Sequence, residues 1–556
     1  MTAVLNQLDE AIVALGELDA PPSDTRSRSG DGQILADDDG ADRRVRISIR
    51  PELTAMTDEV IEAIEGRPDL NVYVRGRALV TIARDGAGRD TWIARPPGAP
   101  VIVRLDPPRM LAVIDNATRW TKLSARTKKQ QPAFPLSNVV MQVLGRLEWP
   151  LAYLEGVIET PTIRPDGSIL SNVGYDRATG LLYEPVPGCN EWPGIPERPT
   201  AYDVRRAIEA LLEPVVNFPF VATSDRSTYI AAVLTLIARH LIYGPAPLFP
   251  IRAPTPGTGK GLLASVIGLI GTGREPAAMT MVEGDELRKR ITAIAIAGTP
   301  LVLLDNVSGT IGSDVFAAAL TCKSWTDRVL GASETTEVAL RTVWIATGNN
   351  VGFSRTLGRR AVPIDLDAKV ETPEDRTGFK IDDLLGFVRI ERQRLVTAAL
   401  TILRGFHVAG RPRHKAPRIG SFEAWDDLIR SAVIWAGEPD PAQADDPTRG
   451  RGRLRALADD DVADVSVLLG DLRRAFGDKS WTAKDVWSRR DGDPNLRAAV
   501  DLAAASRGDR SKAATLGSLR YTLRAYADRP IRGLMLLHVS DPTAREQHWV
   551  VTERAP

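Results

Sequence analysis

Ala253-Pro254-Thr255-Pro256-Gly257-Thr258-Gly259-Lys260-Gly261-Leu262-Leu263 is the stretch that decides the fold class. The apolar run Leu248-Phe249-Pro250-Ile251 precedes it, and Leu262 to Leu269 has the composition of a helix. A strand, a glycine-rich turn and a helix N-terminus in that order make an anion site. Backbone N–H groups point into the turn and the helix dipole adds partial positive charge. Gly257 and Gly259 let the backbone wrap a phosphate and Lys260 is spaced to reach the outer phosphate oxygens; Pro256, Thr258, Gly261 and Leu262 complete the loop. ATP with Mg²⁺ is the expected occupant. Two positions depart from the G-x-x-x-x-G-K-S/T pattern: Pro254 replaces the first glycine, and Gly261 replaces the hydroxyl that ordinarily ligates Mg²⁺.

Three further motifs follow in order. Pro300-Leu301-Val302-Leu303-Leu304-Asp305-Asn306 is an apolar strand ending in an acid, and Asp305 suits a carboxylate that holds Mg²⁺ through water. Asn306 stands where many such ATPases carry the glutamate that activates water. An amide cannot act as a general base, so either Asn306 only positions the water or another carboxylate serves, with Glu283, Asp285 and Glu286 as candidates. Thr342-Val343-Trp344-Ile345-Ala346-Thr347-Gly348-Asn349-Asn350 is a strand ending in a polar turn that puts the Asn349 amide beside a γ-phosphate. Arg359 and Arg360, just before the strand Ile364-Asp365-Leu366-Asp367, suit an arginine finger reaching a neighbouring subunit's nucleotide.

Carried by Gly257 to Leu263, Leu304-Asp305-Asn306, Ala346 to Asn350 and Gly358-Arg359-Arg360, the sequence from about Glu159 to Arg404 resembles the AAA+/superfamily-3-like helicase ATPases of phages, plasmids and integrated elements, including the ATPase half of primase-helicases. Trp325 to Gly331 and Gly167 to Tyr183 add to the likeness. The resemblance implies an α/β P-loop AAA+-like core using ATP and Mg²⁺. It also implies a homo-oligomer, expected to be a hexamer, that acts on single-stranded or forked DNA. Lys260, Asp305, Asn349 and the Arg359/Arg360 pair would carry the chemistry. Arg328 to Val338 reads as strand, polar turn and strand, which the resemblance makes a hairpin in a ring's channel, with Arg328 and Thr335 as DNA contacts; Glu334 and Glu337 dilute its charge. A priming centre needs clustered carboxylates, usually with a nearby histidine. Asp106 and Asp115 are the N-terminal candidates, and no histidine precedes His240, so a separate primase or initiator is the expected partner.

Outward from this core, 1–43 reads as a flexible segment, with helical spacing in 2–18 and then Pro, Ser, Asp and Gly. Residues 44–150 read as a small α/β domain: Val45, Ile47 and Ile49 alternate with polar positions, a helix is expected from Thr57 to Glu65, and strands around 72–74, 79–82 and 91–93. Its most basic stretch is Arg119, Trp120, Lys122, Arg126, Lys128 and Lys129, a solvated face or a phosphate contact. The expected divisions continue as a turn-rich and helical region at 151–245, the ATPase at 246–405, and a helical segment and linker at 406–453, the linker beginning at Glu438. Residues 454–556 close the chain as a winged-helix domain. There Thr482 caps a helix, and Arg520, Arg524 and Arg532 are the expected phosphate contacts.

Composition sets the outer limits. The 556 residues carry 71 basic and 71 acidic side chains, so the formal charge is zero and only local patches can draw nucleic acid. No run approaches the ~18 apolar residues of a membrane span, and no cationic N-terminal segment leads into an apolar core. Two cysteines and five scattered histidines supply no disulfide framework or thiolate metal site. A cytoplasmic protein with no membrane partner is expected. The leading function is an ATP-dependent DNA helicase or translocase for replication of a mobile genetic element. A nucleotide-binding assembly or regulatory AAA+ protein with weak hydrolysis is the alternative that Gly261 and Asn306 favour. A DNA-packaging motor would ordinarily bring an acidic nuclease site, and 406–556 show none.

Overall fold

The computed structural model describes residues 43–84, 92–189, 191–307, 310–328, 335–349, 351–442, 464–504, 513–528, 530–531, 533–539 and 546–553. The expected 2–18 helix, most of both linkers, Glu334, Asn350 and Arg532 lie outside the described residues. The chain divides into Met1–Val45 and Arg46–Pro556, and the architecture below is that of the second unit.

Six strands come first: β1 (Val45–Ser48), β2 (Tyr73–Arg75), β3 (Ala78–Arg84), β4 (Pro100–Arg104), β5 (Thr118–Leu123) and β6 (Gln130–Ala133). They form two three-stranded sheets, β1-β5-β6 and β2-β3-β4. Helices Leu53–Glu65, Pro107–Ala117 and Ser137–Leu144 pack among them around Met56, Ile114, Trp120 and Val140. The first helix starts four residues before its expected Thr57, because Thr57 is a buried helical residue whose hydroxyl returns to the Leu53 carbonyl at 2.9 Å. Asp106 caps the second helix, accepting the Arg109 N–H at 2.9 Å, so this acid has a local structural task. Trp92 and Ile93, expected as a strand, form a turn that leads into a single bridge between Ala94 and Ala278.

Five short strands, β7 to β11, lie between Gly156 and Tyr183. The central sheet then uses β12 (Phe249–Ala253), β13 (Ala277–Met279), β14 (Leu301–Leu304), β18 (Val343–Asn349) and β20 (Ile364–Asp365). Its order is β13-β14-β18-β12-β20, and every pairing is parallel. The strands are buried on both faces, which explains their continuous apolar runs. Leu301, Leu303, Val343 and Ile345 face the helices Thr223–Ile237, Lys260–Thr272 and Leu384–Val408. Val302, Leu304, Trp344 and Ala346 face the opposite core, with helices Gly284–Ala297 and Asp314–Ala319. Ala94 exchanges hydrogen bonds of 2.8 and 3.0 Å with Ala278 outside β13, and Phe220 bridges Leu366 beyond β20, so both sheet edges are covered.

The first of these cores runs from Ile163 to Ala442. The expected divisions at 245/246 and 405/406 therefore pass through packed side chains. The start of the expected second linker is also built in: Asp440 holds Arg430 at 2.8 and 2.6 Å, Pro441 accepts the Thr228 hydroxyl at 2.8 Å, and Ala442 is buried. Between β14 and β18 come β15 (Thr310–Ile311), which pairs with β19 (Gly352–Phe353) beyond β18, and the antiparallel hairpin of β16 (Ser324–Arg328) and β17 (Thr335–Ala339).

Beyond the second linker, a helix over 464–476 and helices Ala483–Arg489, Pro494–Ala503 and Leu516–Tyr526 surround a core of Leu472, Trp481, Leu523 and Leu536. A four-stranded antiparallel sheet in the order β21-β24-β23-β22 lies against them, made of β21 (Trp481–Thr482), β22 (Pro530–Ile531), β23 (Leu534–Val539) and β24 (His548–Glu553). Thr482 makes the expected cap, in a capping box with Asp485. Among the described residues, no helix is long and apolar enough to cross a membrane.

Candidate nucleotide site

Residues 254–259 connect β12 to the helix Lys260–Thr272 at the C-terminal edge of the parallel sheet, where open α/β sheets bind ligands. Gly257 and Gly259 have φ of 71° and 89°, a left-handed backbone that only glycine takes without strain. Space also requires them. A Cβ on Gly257 would stand 2.3 Å from the Glu374 carboxylate, and one on Gly259 would stand 3.2 Å from the Phe218 ring. The Thr258 hydroxyl donates to the Thr255 carbonyl at 2.7 Å and closes the loop on itself. No side chain caps the helix at Gly259, so its first amides are left for an anion.

Lys260 Nζ donates to the Thr255 carbonyl at 3.1 Å and to Asn349 Oδ1 at 2.7 Å. Burial pushes its ammonium below the ordinary lysine range. Asn349 is the last residue of β18, level with Ala253 at the end of β12. One strand further, Asp305 follows β14; its Oδ1 accepts the Thr347 hydroxyl at 2.6 Å and the Asn306 N–H at 2.9 Å. Oδ2 has no hydrogen bond among the described residues. Thus Thr347 and Asn349, two residues apart on β18, tie the acid on one side and the lysine on the other. At about 4.8 Å between strands, the ends of β12 and β14 stand about 10 Å apart, room for a phosphate chain and a metal between Lys260 and Asp305.

Asn306 has φ 49°, and asparagine is among the few non-glycine residues that enter this region readily. Backbone geometry thus gives one reason for an amide at this position. Glu283 and Asp285 open the helix Gly284–Ala297, and Glu286 is engaged by Arg290 at 3.0 Å. Gly261 is exposed, with nothing within 4 Å of a Cβ built on it.

The remaining expected residues lie elsewhere. The Arg360 carbonyl accepts the Leu248 N–H at 3.0 Å, which puts the Arg359/Arg360 pair at the opposite end of β12 from the loop. At about 3.3 Å per residue this is roughly 17 Å from Ala253, beyond an arginine's reach within one chain. Arg360 folds back onto the Thr356 carbonyl at 2.7 Å, and burial, then Arg359, lowers its pKa; Arg359 is exposed. Arg328 and Thr335 are exposed and face each other at the described end of the β16–β17 hairpin. At that hairpin's base the buried Trp325 donates its indole N–H to Thr292 at 2.9 Å. Arg520 meets Glu546 at 3.5 Å, Glu546 also binds Lys484 at 2.5 Å, and Arg524 donates to Gln547 at 2.7 Å.

Several neighbours of the site were not anticipated. Thr347 sits in a motif read for its asparagine. Phe218 and Glu374 reach the loop from segments with no local signal of their own. Beneath the loop, Arg252 and Asp365 form a buried bidentate pair at 2.8 Å. Asp225 accepts the Asp365 and Ala222 amides, and burial followed by the Asp365 charge pushes its carboxyl up to about 7.

No known protein family and no curated protein matches the chain. Among solved structures, the apo C-terminal region of NrS-1 aligns with 80% of this chain and 99% of its own length, at 12% identity and a TM-score of 0.31. The structure described as SCCmec type IV Cch, an active helicase, aligns over 75% and 81% at 11% identity and a TM-score of 0.27. A JCV helicase bound to an inhibitor aligns over 43% and 60% at 16% identity and a TM-score of 0.20. At such TM-scores the likeness carries no weight for this chain, whose reading rests on the geometry of its own site.

Proposed function

We propose that this chain is an ATP-dependent DNA helicase or translocase that works as a ring, a hexamer, in replication of a mobile element. The observation that carries the reading is the single strand β18, which binds Lys260 through Asn349 and Asp305 through Thr347. A bound nucleotide with Mg²⁺ would supply the phosphoryl group and the charge that needs neutralising. Lys260 and the first amides of its helix would hold the β- and γ-phosphates, and Asp305 would hold Mg²⁺ through water. Asn349, released from Lys260 by the phosphates, would orient the attacking water, with Asn306 only positioning it. Arg359, about 17 Å from the start of its own loop by strand rise, would serve a neighbouring subunit. The β16–β17 hairpin would meet DNA in the channel. The C-terminal helices and the β23–β24 pair would form a winged helix that binds DNA or a replication partner, with priming left to another protein.

The test is ATP turnover with and without forked DNA, together with strand separation. Lys260→Ala is expected to lower turnover by roughly 10²-fold or more while the thermal unfolding profile stays intact. Unchanged turnover in that variant would end the ATPase reading. A second reading, a nucleotide-binding assembly or regulatory protein with slow hydrolysis, is favoured by the left-handed Asn306 and by the Glu374 carboxylate lying against Gly257. Slow turnover that DNA does not stimulate would select it.

A further inference from the structure

Between Asp115 and Glu148 the chain has six basic residues and no acidic one, although the whole chain is neutral. Arg146 is paired with Asp58, and Arg119 has its own partner. The other four, Lys122, Arg126, Lys128 and Lys129, are exposed and make no ion pair with any described carboxylate. All four lie on the β5–β6 hairpin or its turn.

The turn is rigid. Ser124 N–H donates to the Lys129 carbonyl at 2.9 Å, Lys128 N–H to the Ser124 carbonyl at 2.9 Å, and Thr127 N–H to the Ser124 hydroxyl at 3.2 Å. The backbone that carries the cations is therefore closed into one turn at the end of a ribbon. The register sorts the side chains between its two faces: Trp120 opposite Ala133 lies on the core side, whereas Thr121 opposite Pro132 and Leu123 opposite Gln130 lie on the other. Leu123 is 59% exposed, and Phe134, one residue past β6, is 86% exposed. Pro132 and Pro135 on either side of Phe134 restrict the backbone that presents it. Pro132 also removes an N–H from the edge strand, which disfavours capture of a protein partner by strand addition.

We propose that this hairpin is a binding surface for single-stranded nucleic acid, with Arg126, Lys128 and Lys129 of the turn on the phosphates, Lys122 adding charge from the other face of the ribbon, and Phe134 as a stacking platform for a base. Exposed cations and a bare aromatic ring on one ribbon are what a sequence-tolerant strand-binding surface combines. The ring selects single strands, because bases paired in a duplex do not offer it an open face. The surface needs neither nucleotide nor Lys260, so its failure would leave the ATPase reading standing, and the reverse also holds.

The test uses the full chain without nucleotide, with fluorescent oligo(dT) and a matching duplex titrated across a range of salt. Replacing all four cations (Lys122→Ala, Arg126→Ala, Lys128→Ala, Lys129→Ala) is expected to weaken oligo(dT) binding at least tenfold. The slope of log affinity against log salt should become shallower by about 2, at ~0.7 per lost phosphate contact. Phe134→Ala should weaken binding by about tenfold with the salt slope unchanged, and Phe134→Trp should restore it. All replaced side chains are exposed, so unfolding temperature and DNA-free ATP turnover should match the parent. Oligo(dT) binding and slope unchanged in the fourfold variant would overturn the proposal. So would an equal loss on duplex with no effect at Phe134. Binding to phosphatidylserine vesicles that is lost in the variant while oligo(dT) binding persists would instead make this a membrane surface.

Discussion

At Lys260 the ammonium is already engaged on both sides, by the Thr255 carbonyl and by Asn349. On the proposed reading a triphosphate would replace these partners with its own oxygens, which would couple its arrival to release of the Asn349 amide. Gly261, one residue on, departs from the usual pattern for no steric reason, since a side chain there meets open space. Gly261→Ser is therefore expected to fold as the parent does. It should lower the Mg²⁺ concentration needed for half-maximal turnover, because it adds a hydroxyl ligand. A Mg²⁺ titration that shifts the other way would contradict the account of Asp305 as the acid that holds the metal in the parent.

Among the elements, β18 does the most to build the site. Its end is pinned: Val307 N–H donates to the Thr347 carbonyl at 2.8 Å, and a Cβ on Gly348 would fall 2.3 Å from the Val307 carbonyl oxygen and 2.2 Å from Val351. There is no room for a methyl group, and the near atoms include backbone. Gly348→Ala should cost about 1–3 kcal/mol, the usual range for overpacking. It should also lower ATP turnover well beyond the loss of folded protein, since Thr347 and Asn349 move with their neighbour. Thermal unfolding and turnover measured on the same preparation would check this; full activity in a stable variant would show that the strand end tolerates displacement.

Over the whole molecule, two relations reach across distant segments. His240 lies against Gly156, among Arg239, Arg341 and Arg75, where the first sheets meet the beginnings of the central strands. Burial, then the Arg341 and Arg239 charges, lower its pKa from 6.5 to about 3. Above pH 6.5 the ring is neutral both folded and unfolded, and its contribution is intact. As pH falls from 6.5 towards 3 the unfolded chain takes a proton that the folded one refuses, so stability is lost with acidification. Between pH 6.5 and 5 this group should account for about 2 kcal/mol, and His240→Gln should show a correspondingly smaller drop in unfolding temperature over that interval. An identical drop in both proteins would remove His240 from the explanation. The second relation is the one proposed between subunits: if it holds, co-assembled Arg359→Ala and Lys260→Ala chains should recover part of the lost turnover, because one mixed interface would join an intact loop to an intact finger. No recovery in mixtures shown to co-assemble would make Arg359 structural.

The sequence alone located the loop, the acid and the amide. Each is a short contiguous signal: an apolar run that must be a buried strand, followed by residues whose backbone freedom or charge suits one task. It also determined Thr482 as a cap and both strands of the terminal pair, for the same local reason. Only the tertiary structure decided that β18 lies between β12 and β14, which brings Asn349 to Lys260 and Thr347 to Asp305. Parallel strands are paired through long crossovers, and their order depends on which faces pack best across the whole domain. Phe218 and Glu374 meet the loop for that reason, and neither carries a local sign of doing so. The same holds for the arginine pair, whose distance from the loop is set by the length of a strand it does not belong to. In the basic stretch from 119 to 129 the charges were legible; the closed turn and the bare ring of Phe134 were seen only in the folded hairpin.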